Sequence, residues 1–292
     1  MSSSAVITIV LNWCAEAVTA DCIRSLLASD YRALEILLVD NGSTDDSFKS
    51  LKDSFPEIEF LQTGDNLGYA GGNNRGIEWA LARHPKYVLI LNNDTVLDPD
   101  TVSKLVYTAE NREVRVGGVV PKILYYDDPT RIWYAGGEFS AIKGLGIHWQ
   151  EGESDLPDEE ESPCEVTFMT GACCLFSAES LQELKGFDED FFAYVEDADL
   201  SLRMTKAGYQ MYYQPKARIL HHCSLPGIPP SAFQIRQRDL NRRRIMSKHA
   251  SLGQRLPFLV RFYLTRGILL MGYILKRDWV RAQAILQGMG NG

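Results

Sequence analysis

The chain lacks several features that would place it quickly. Its 292 residues contain no CxxC pair, no Walker lysine, no GxGxxG fingerprint and no repeat at a fixed period. The six cysteines (Cys14, Cys22, Cys164, Cys173, Cys174 and Cys223) are too sparse for a disulfide-stapled domain, which points to reduced thiols in a cytosolic setting. The opening MSSSAVITIVLNW has neither a basic n-region nor a small-residue cleavage site, so no secretory leader is expected. The most apolar stretch, LPFLVRFYLTRGILLMGYILKR, is broken by Arg261 and Arg266. Its longest uncharged run, Gly267 to Leu275, is far short of the roughly 20 apolar residues that a spanning helix needs. Acidic residues are nearly absent from the end of the chain: residues 201–292 hold 16 Lys/Arg against 2 Asp/Glu, whereas residues 1–200 hold 14 against 36. That asymmetry suits either an anionic partner for the tail, such as lipid head groups, a lipid pyrophosphate or nucleic acid, or docking of the tail on the acidic body.

What is present is a 45% apolar chain, long enough to bury a full core. Short, branched apolar runs at 5–11, 35–39 and 86–91 alternate with helical spacing at 15–28, 44–54, 71–83 and 98–110, with Ser43 as a cap for the second. Alternation of this kind predicts an α/β fold: a mostly parallel sheet with helices on both faces. Past residue 114 the pieces shorten (116–120, 131–135, 166–168, 172–177), which predicts an added mixed sheet and divides a nucleotide half, 1–114, from an acceptor half, 115–225. The acidic segment 150–165 offers almost nothing to bury and reads as a solvated loop. Residues 226–292 read as a basic, amphipathic helical extension, with helices over 231–251 and 256–287. Arg255, Arg266, Arg277 and Arg281 share one side of a helical wheel, as an interfacial helix requires, and packing against the body or a second subunit fits equally well.

In open α/β sheets, ligands bind beyond the carboxyl ends of the strands. Three apolar runs end in polar residues: at Asn12, at Asp40-Asn41-Gly42-Ser43 and at Asn92-Asn93-Asp94. A carboxylate such as Asp94 at a strand end can hold Mg²⁺ or Mn²⁺, which favour one or two protein carboxylates together with water and a substrate diphosphate. The run Asn66-Leu67-Gly68-Tyr69-Ala70-Gly71-Gly72-Asn73-Asn74 allows backbone N–H groups to approach a diphosphate or sugar closely. Glu196-Asp197-Ala198-Asp199 sets three acids at a helix start, after the aromatic stretch Phe191, Phe192, Tyr194. A carboxylate there can take the proton of an attacking hydroxyl while the rings pack on sugar, and the same acids also suit the helix dipole. His221-His222 ends a strand-like run, and a neutral imidazole suits Mn²⁺.

The ordered set VLNW, LLVDNGSTDDS, NLGYAGGNNRGI, LILNNDTVLDP, MTGACCLFS, GFDEDFFAYVEDADLSLRMTKAGY and PKARILHH resembles the family-2 glycosyltransferases of the GT-A fold. The likeness is to the rhamnosyltransferase-like branch that builds bacterial surface polysaccharides, and it spans about residues 5–224. The resemblance implies a metal-dependent, inverting transfer from a nucleotide-diphosphate sugar, dTDP-rhamnose by preference or a UDP-hexose, to an acceptor hydroxyl, and the cationic tail favours a glycan on a lipid pyrophosphate at the cytosolic membrane face. It implies that Asp40 recognises the base, that Asn12, Asn41, Asn92 and Asn93 line the nucleotide pocket, and that Gly71, Gly72, Asn73 and Asn74 lie near the donor diphosphate. Asp94 and His221 would hold the metal, with NND standing where other branches have DxD. Asp197 would be the base, Glu196 its supporting neighbour, and Phe192, Tyr194 and Asp199 would face the acceptor. The extension is the candidate homodimer contact, and no nucleic-acid partner is expected. Two rival classes remain at this point. A sugar-phosphate nucleotidyltransferase would want a glycine-rich basic loop where NWCAEAV stands, and a non-catalytic sugar-nucleotide module would not need Asp94, Asp197 and His221 together.

Overall fold

A computed structural model describes residues 5–156, 161–223 and 228–290. The first half builds β1 (Val6–Asn12), α1 (Glu16–Leu27), β2 (Leu34–Asp40), α2 (Ser47–Ser54), β3 (Glu59–Gln62), α3 (Gly68–Leu81), β4 (Tyr87–Asn92), β5 (Thr95–Leu97) and α4 (Thr101–Glu110). There follow β6 (Val116–Tyr125), β7 (Ile132–Tyr134), β8 (Gly137–Ser140), β9 (Leu145–His148), β10 (Cys164–Val166), β11 (Cys173–Ser177), α5 (Ala178–Leu184), a 3-10 turn (Glu189–Phe191), α6 (Glu196–Lys206) and β12 (Gln210–His221). Three helices close the chain: α7 (Ala232–His249), α8 (Leu252–Leu275) and α9 (Trp279–Met289).

The alternation read from the apolar runs is realised as a parallel block in which β1 lies between β2 and β4, and β3 pairs with β2. The register pairs Asn12 with Asp40 and Leu11 with Asn92, so three strands run out of apolar residues at the same level. The later strands do not form a separate sheet. β11 runs antiparallel to β4 and joins β6, β12 and β10 to one ten-stranded mixed sheet, leaving only the β8–β9 hairpin apart among the described residues. Continuous burial along β6 explains why this part carries no alternating pattern: every residue of it is buried.

Three local expectations need correction. The strand-like run that ends at His221 extends back to Gln210, crossing Pro215 at a register shift where the ladder is interrupted. Ser43 does not cap α2, which starts at Ser47; its Oγ instead accepts from the Cys14 N–H at 2.9 Å and from Asn12 Nδ2 at 3.3 Å. Residues 157–160 of the acidic segment 150–165 lie outside the described residues, and its described part is not merely solvated. Asp155 is buried and accepts from Lys122 Nζ at 3.1 Å and from Arg218, and Lys122 also reaches Glu161 at 2.7 Å. A buried lysine demands such partners, and a sequence reading of acids alone does not see it.

Helix α3 packs on the parallel block through two glycines. A Cβ on Gly72 would stand 2.6 Å from Leu11 Cδ1, and one on Gly76 would stand 2.7 Å from Ile9 Cγ2 and 3.1 Å from Val39 Cγ2. Glycine there lets the helix backbone approach the sheet directly. Gly76→Val is expected to overpack this contact and lower the unfolding free energy by about 1–3 kcal/mol, read from urea denaturation. An unchanged midpoint would show that α3 can shift away from β1 at no cost.

Candidate active site at the carboxyl edge of the sheet

The strand ends are joined by a buried polar chain. Asn93 Nδ2 donates to Thr19 Oγ1 at 2.8 Å, Thr19 donates to Asn12 Oδ1 at 3.0 Å, and Asn12 Nδ2 donates to Asp40 Oδ1 at 3.2 Å. Asp40 also accepts from the Ser43 N–H at 3.3 Å and from Gln62 Nε2 at 3.4 Å. Asn12 and Asp40 are almost completely buried, at 0% and 1% exposure, so this chain fixes the floor of the edge. Asn92 ends β4 and its backbone carbonyl accepts from Thr95 Oγ1 at 2.7 Å.

The glycine-amide run enters its helix three residues earlier than the helical spacing at 71–83 suggested. α3 begins at Gly68, so Gly71, Gly72, Asn73 and Asn74 lie within the helix and are buried. Asn74 is committed to the protein itself: Nδ2 donates to the Phe187 carbonyl at 2.9 Å and to Glu189 Oε1 at 3.0 Å, while Oδ1 accepts from the Phe187 N–H at 2.9 Å. Asn41 is similarly occupied, donating to the Gly68 carbonyl at 3.0 Å and accepting from the Leu67 N–H at 3.1 Å. Both amides hold the start of α3 in place. Asn73 donates to the Tyr69 carbonyl at 2.9 Å, and its Oδ1 has no partner among the described residues.

Asp94 and His221 meet across the β5–β12 pair, with Asp94 Oδ1 3.1 Å from His221 Nε2. The angles do not make this a hydrogen bond, and both Asp94 Oδ1 and His221 Nδ1 are buried without one. An orphaned carboxylate oxygen beside an imidazole is a donor pair that a hard divalent cation satisfies, with the remaining positions left to water and diphosphate. No cluster of three or more such ligands occurs among the described residues. The His221 ring stands edge-on to Trp133 with centroids 4.6 Å apart, while His222 turns away to stack on Tyr126 at 3.4 Å.

Glu196 and Asp197 open α6. Burial, with Asp197 alongside, drives the Glu196 carboxyl well above the ordinary carboxylate range, and its Oε2 has no hydrogen-bond partner among the described residues. Burial also raises Asp197, opposed by hydrogen bonds from the Gly171 N–H at 3.0 Å and the Ala198 N–H at 2.8 Å. Asp197 keeps part of its surface open, as a group that receives a substrate proton must. Tyr69 supports the same turn by donating to the Gly171 carbonyl at 2.6 Å.

Asp199 does not face an acceptor. It is 1% exposed and bound by His249 Nε2 at 2.6 Å and Arg203 Nε at 2.7 Å. Burial alone would raise its carboxyl, but these two partners outweigh it and hold the group below its usual range. Helical spacing decides this: Asp199 lies two residues from Asp197 and so on another face of α6, four residues before Arg203. Phe192 and Tyr194 each pack against Phe233 of α7, with centroids 6.4 and 6.2 Å apart. The helix expected over 231–251 is α7, but Phe233 was missed because α7 carries nearly all its signal as charge. His148 was missed as well; it packs on Trp133, Tyr134 and Phe168, and burial lowers its pKa to about 4.

A sheet edge that combines a buried Asn-Asp floor, an unsatisfied Asp-His pair and a raised, partly open carboxylate defines a nucleotide-sugar transferase of the GT-A type. Residues 5–185 match the family model Glycosyl transferase family 2, and the chain belongs to that family. It is 33% identical over 219 residues to the N-acetylglucosaminyl-diphospho-decaprenol L-rhamnosyltransferase of Mycobacterium tuberculosis, an overlap of 68% of this chain and 70% of that protein. It is 23% identical to rhamnosyltransferase WbbL of Escherichia coli K12, over 69% of this chain and 79% of the relative. Among solved structures, the mannosyltransferase PcManGT from Pyrobaculum calidifontis, in complex with GDP-Man and Mn²⁺, shares the fold. Its TM-score is 0.61 at 15% identity, over 99% of this chain and 86% of that one. GalNAc-T7 with UDP, GalNAc and Mn²⁺ gives a TM-score of 0.64 at 16% identity, over 84% and 48%. The chain is therefore a glycosyltransferase of polysaccharide synthesis, similar to rhamnosyltransferases.

The Asp199 ion pairs set a pH dependence of stability. A carboxyl depressed by folding contributes fully above its unfolded value of about 3.9 and loses that contribution as pH falls through its folded value. Asp199→Asn is expected to lose about 3–5 kcal/mol at neutral pH and to converge on the wild type in acid, read by urea unfolding across pH. A constant difference at every pH would contradict the assignment.

Proposed function

We propose that this glycosyltransferase moves rhamnose from dTDP-rhamnose to a hydroxyl of a glycan carried on a lipid pyrophosphate, at the cytosolic face of the membrane. The observation that carries the catalytic part is the partly open Asp197, raised by burial and held by the Gly171 N–H at the mouth of the edge. The donor and acceptor part is supported by the similarity to a diphospho-decaprenol rhamnosyltransferase.

In this reading Asp40, Asn12 and the ends of β1, β2 and β4 seat the nucleoside, with Asn92 and Asn93 completing the wall. Asn41, Gly71, Gly72, Asn73 and Asn74 act from behind, by fixing the start of α3 beneath the donor. Asp94 and His221 would hold Mg²⁺ or Mn²⁺, which when bound neutralises charge on the diphosphate. The Asp197 carboxylate takes the proton of the acceptor hydroxyl as its oxygen bonds to the anomeric carbon. The bond from that carbon to the diphosphate breaks, its electron pair leaves with the nucleotide, and the configuration inverts. Glu196, neutral when protonated, spares Asp197 a second buried charge; when ionised it raises Asp197's basicity. Phe192 and Tyr194 offer ring faces to the acceptor sugar.

The extension supports membrane residence. α8 is 24 residues long, about 36 Å, so it is long and apolar enough to cross a bilayer by length and composition despite its arginines. Only Phe258 and Phe262 are buried, while Leu256, Val260, Leu264 and Ile268 are exposed at 67%, 56%, 62% and 69%. Part of the basic charge is used internally, Arg242 and Arg266 on the buried Asp239 and Lys248 on Asp188. Arg255, Arg261 and Arg277 flank the apolar face and suit anionic lipid.

Thermal shift with dTDP-rhamnose is expected to raise the melting temperature with Mn²⁺ and to do so less in Asp94→Asn; no shift with this donor but one with a UDP-hexose would reassign the donor. Asp197→Asn is expected to retain that donor shift while turnover falls by about 10²–10⁴, and near-normal turnover would remove Asp197 from the role of base. Cosedimentation with phosphatidylglycerol vesicles is expected to exceed that with phosphatidylcholine and to fall in Leu264→Asp. Equal recovery from both, or a lipid-free dimer abolished by the same substitution, would assign α8 to another contact.

A further inference from the structure

The segment that delivers Glu196 and Asp197 is unusual in its backbone. Phe192, Tyr194 and Val195 all have positive φ, at 56°, 67° and 75°. None is glycine, and a β-branched residue such as Val195 is a true outlier there. Such a conformation persists only where its surroundings over-determine it. Folding the chain back on itself in this way also turns the carbonyls of Phe191, Ala193 and Tyr194 toward one point, away from any helix or strand partner.

Asn241 of α7 stands at that point. It is 0% exposed, and its Nδ2 lies 2.7 Å from the Phe191 carbonyl oxygen, 2.9 Å from that of Ala193 and 2.7 Å from that of Tyr194. The orientation of the amide is fixed from behind, because its Oδ1 accepts from Arg244 Nη1 at 2.9 Å. Gln237, one turn earlier on the same face, donates to the Phe191 carbonyl at 3.1 Å. From the opposite side the Phe192 carbonyl accepts from the Ala70 N–H of α3 at 3.1 Å. The strained segment is thus gripped between the glycine helix of the nucleotide half and α7 of the extension. It ends at Val195, the residue that caps α6, so its path sets where Glu196 and Asp197 stand.

We infer that Asn241 is a positioning residue for the catalytic pair: by collecting three inward-turned carbonyls it holds residues 191–195 in the conformation that presents Asp197 to the acceptor. It follows that α7 belongs to the working site as much as the sheet does. This rests on the reading of Asp197 as the base, and the measurements separate the two ideas. An apolar or acidic side chain at 241 leaves the Ala193 and Tyr194 carbonyls unpaired, while that of Phe191 keeps the Ala193 N–H at 2.6 Å and Gln237, and the segment relaxes toward negative φ. A bystander amide predicts no such local effect.

In Asn241→Ala, amide hydrogen exchange is expected to quicken at least about tenfold within residues 190–198 and to stay near the wild type in β1, β2 and β4. Transfer is expected to fall about 10- to 100-fold in kcat with the donor KM within about threefold, and the acid limb of the pH profile to move, because a displaced Asp197 loses the Gly171 N–H. Adding Val195→Gly, which permits positive φ without strain, is expected to restore part of the lost kcat. If Asn241→Ala does not fold, the Asn241→Ala/Val195→Gly chain and Asn241→Asp carry the same comparison. Unchanged exchange at 190–198, or equal losses of donor affinity and kcat, would overturn the inference. Loss of local protection in a chain whose Asp197→Asn form still turns over would keep the clamp and remove the base assignment.

Discussion

Everything at this site depends on the cost of leaving a polar group buried without a partner. The register of β1 against β2 and β4 brings the polar ends of three strands to one level beneath other elements, where water cannot satisfy them. The chain Asn93, Thr19, Asn12, Asp40 is the result, and it makes the floor rigid. Against that rule some of the exceptions among the described residues carry information. Asp94 Oδ1, His221 Nδ1 and Glu196 Oε2 are buried without a hydrogen bond among the described residues, and all three belong to the groups on which transfer is argued to rest.

The acids of α6 show how a few residues divide labour by environment. Asp197 and Asp199 differ by two positions and by one helical face. The first lies by the Gly171 turn, where burial raises it; the second lies against Arg203 and His249, which hold it down despite its own burial. One is thereby kept basic and partly open, while the other ties α6 to α7. The same helix thus carries both the proposed base and a tie to α7, and the fold gains a firm seat for a carboxylate that is itself costly to bury.

The extension has two faces with different physics. α7 turns Asn241, Gln237 and Phe233 toward residues 191–194 and buries Asp239 with two arginines beneath α8. α8 gives up only Phe258 and Phe262 to the core and leaves the rest of its apolar surface uncovered. The contacts of α7 with residues 191–194 and the uncovered apolar face of α8 thus lie on consecutive helices of the extension, which suits the lipid-linked acceptor proposed above.

The fold class was legible because a parallel block buried on both faces writes itself as short branched runs, and the runs at 5–11, 35–39 and 86–91 are β1, β2 and β4. Asp40, Asp94 and Asp197 stood out because an acid that closes an apolar run, or crowds a helix start, is visible in one dimension. Which carboxylate is open and which is tied up was not, since Asp197 and Asp199 differ only in what lies opposite them. Nor was the fate of Asn41 and Asn74, whose amides look like ligand contacts until the turn at Phe187 and the start of α3 close around them. Asn241 sits in a run of arginines with no pattern of its own; its role exists only because residues about fifty positions earlier turn three carbonyls toward it. Sequence determines what a residue is able to bond, and burial in the folded chain decides which of those bonds it must make.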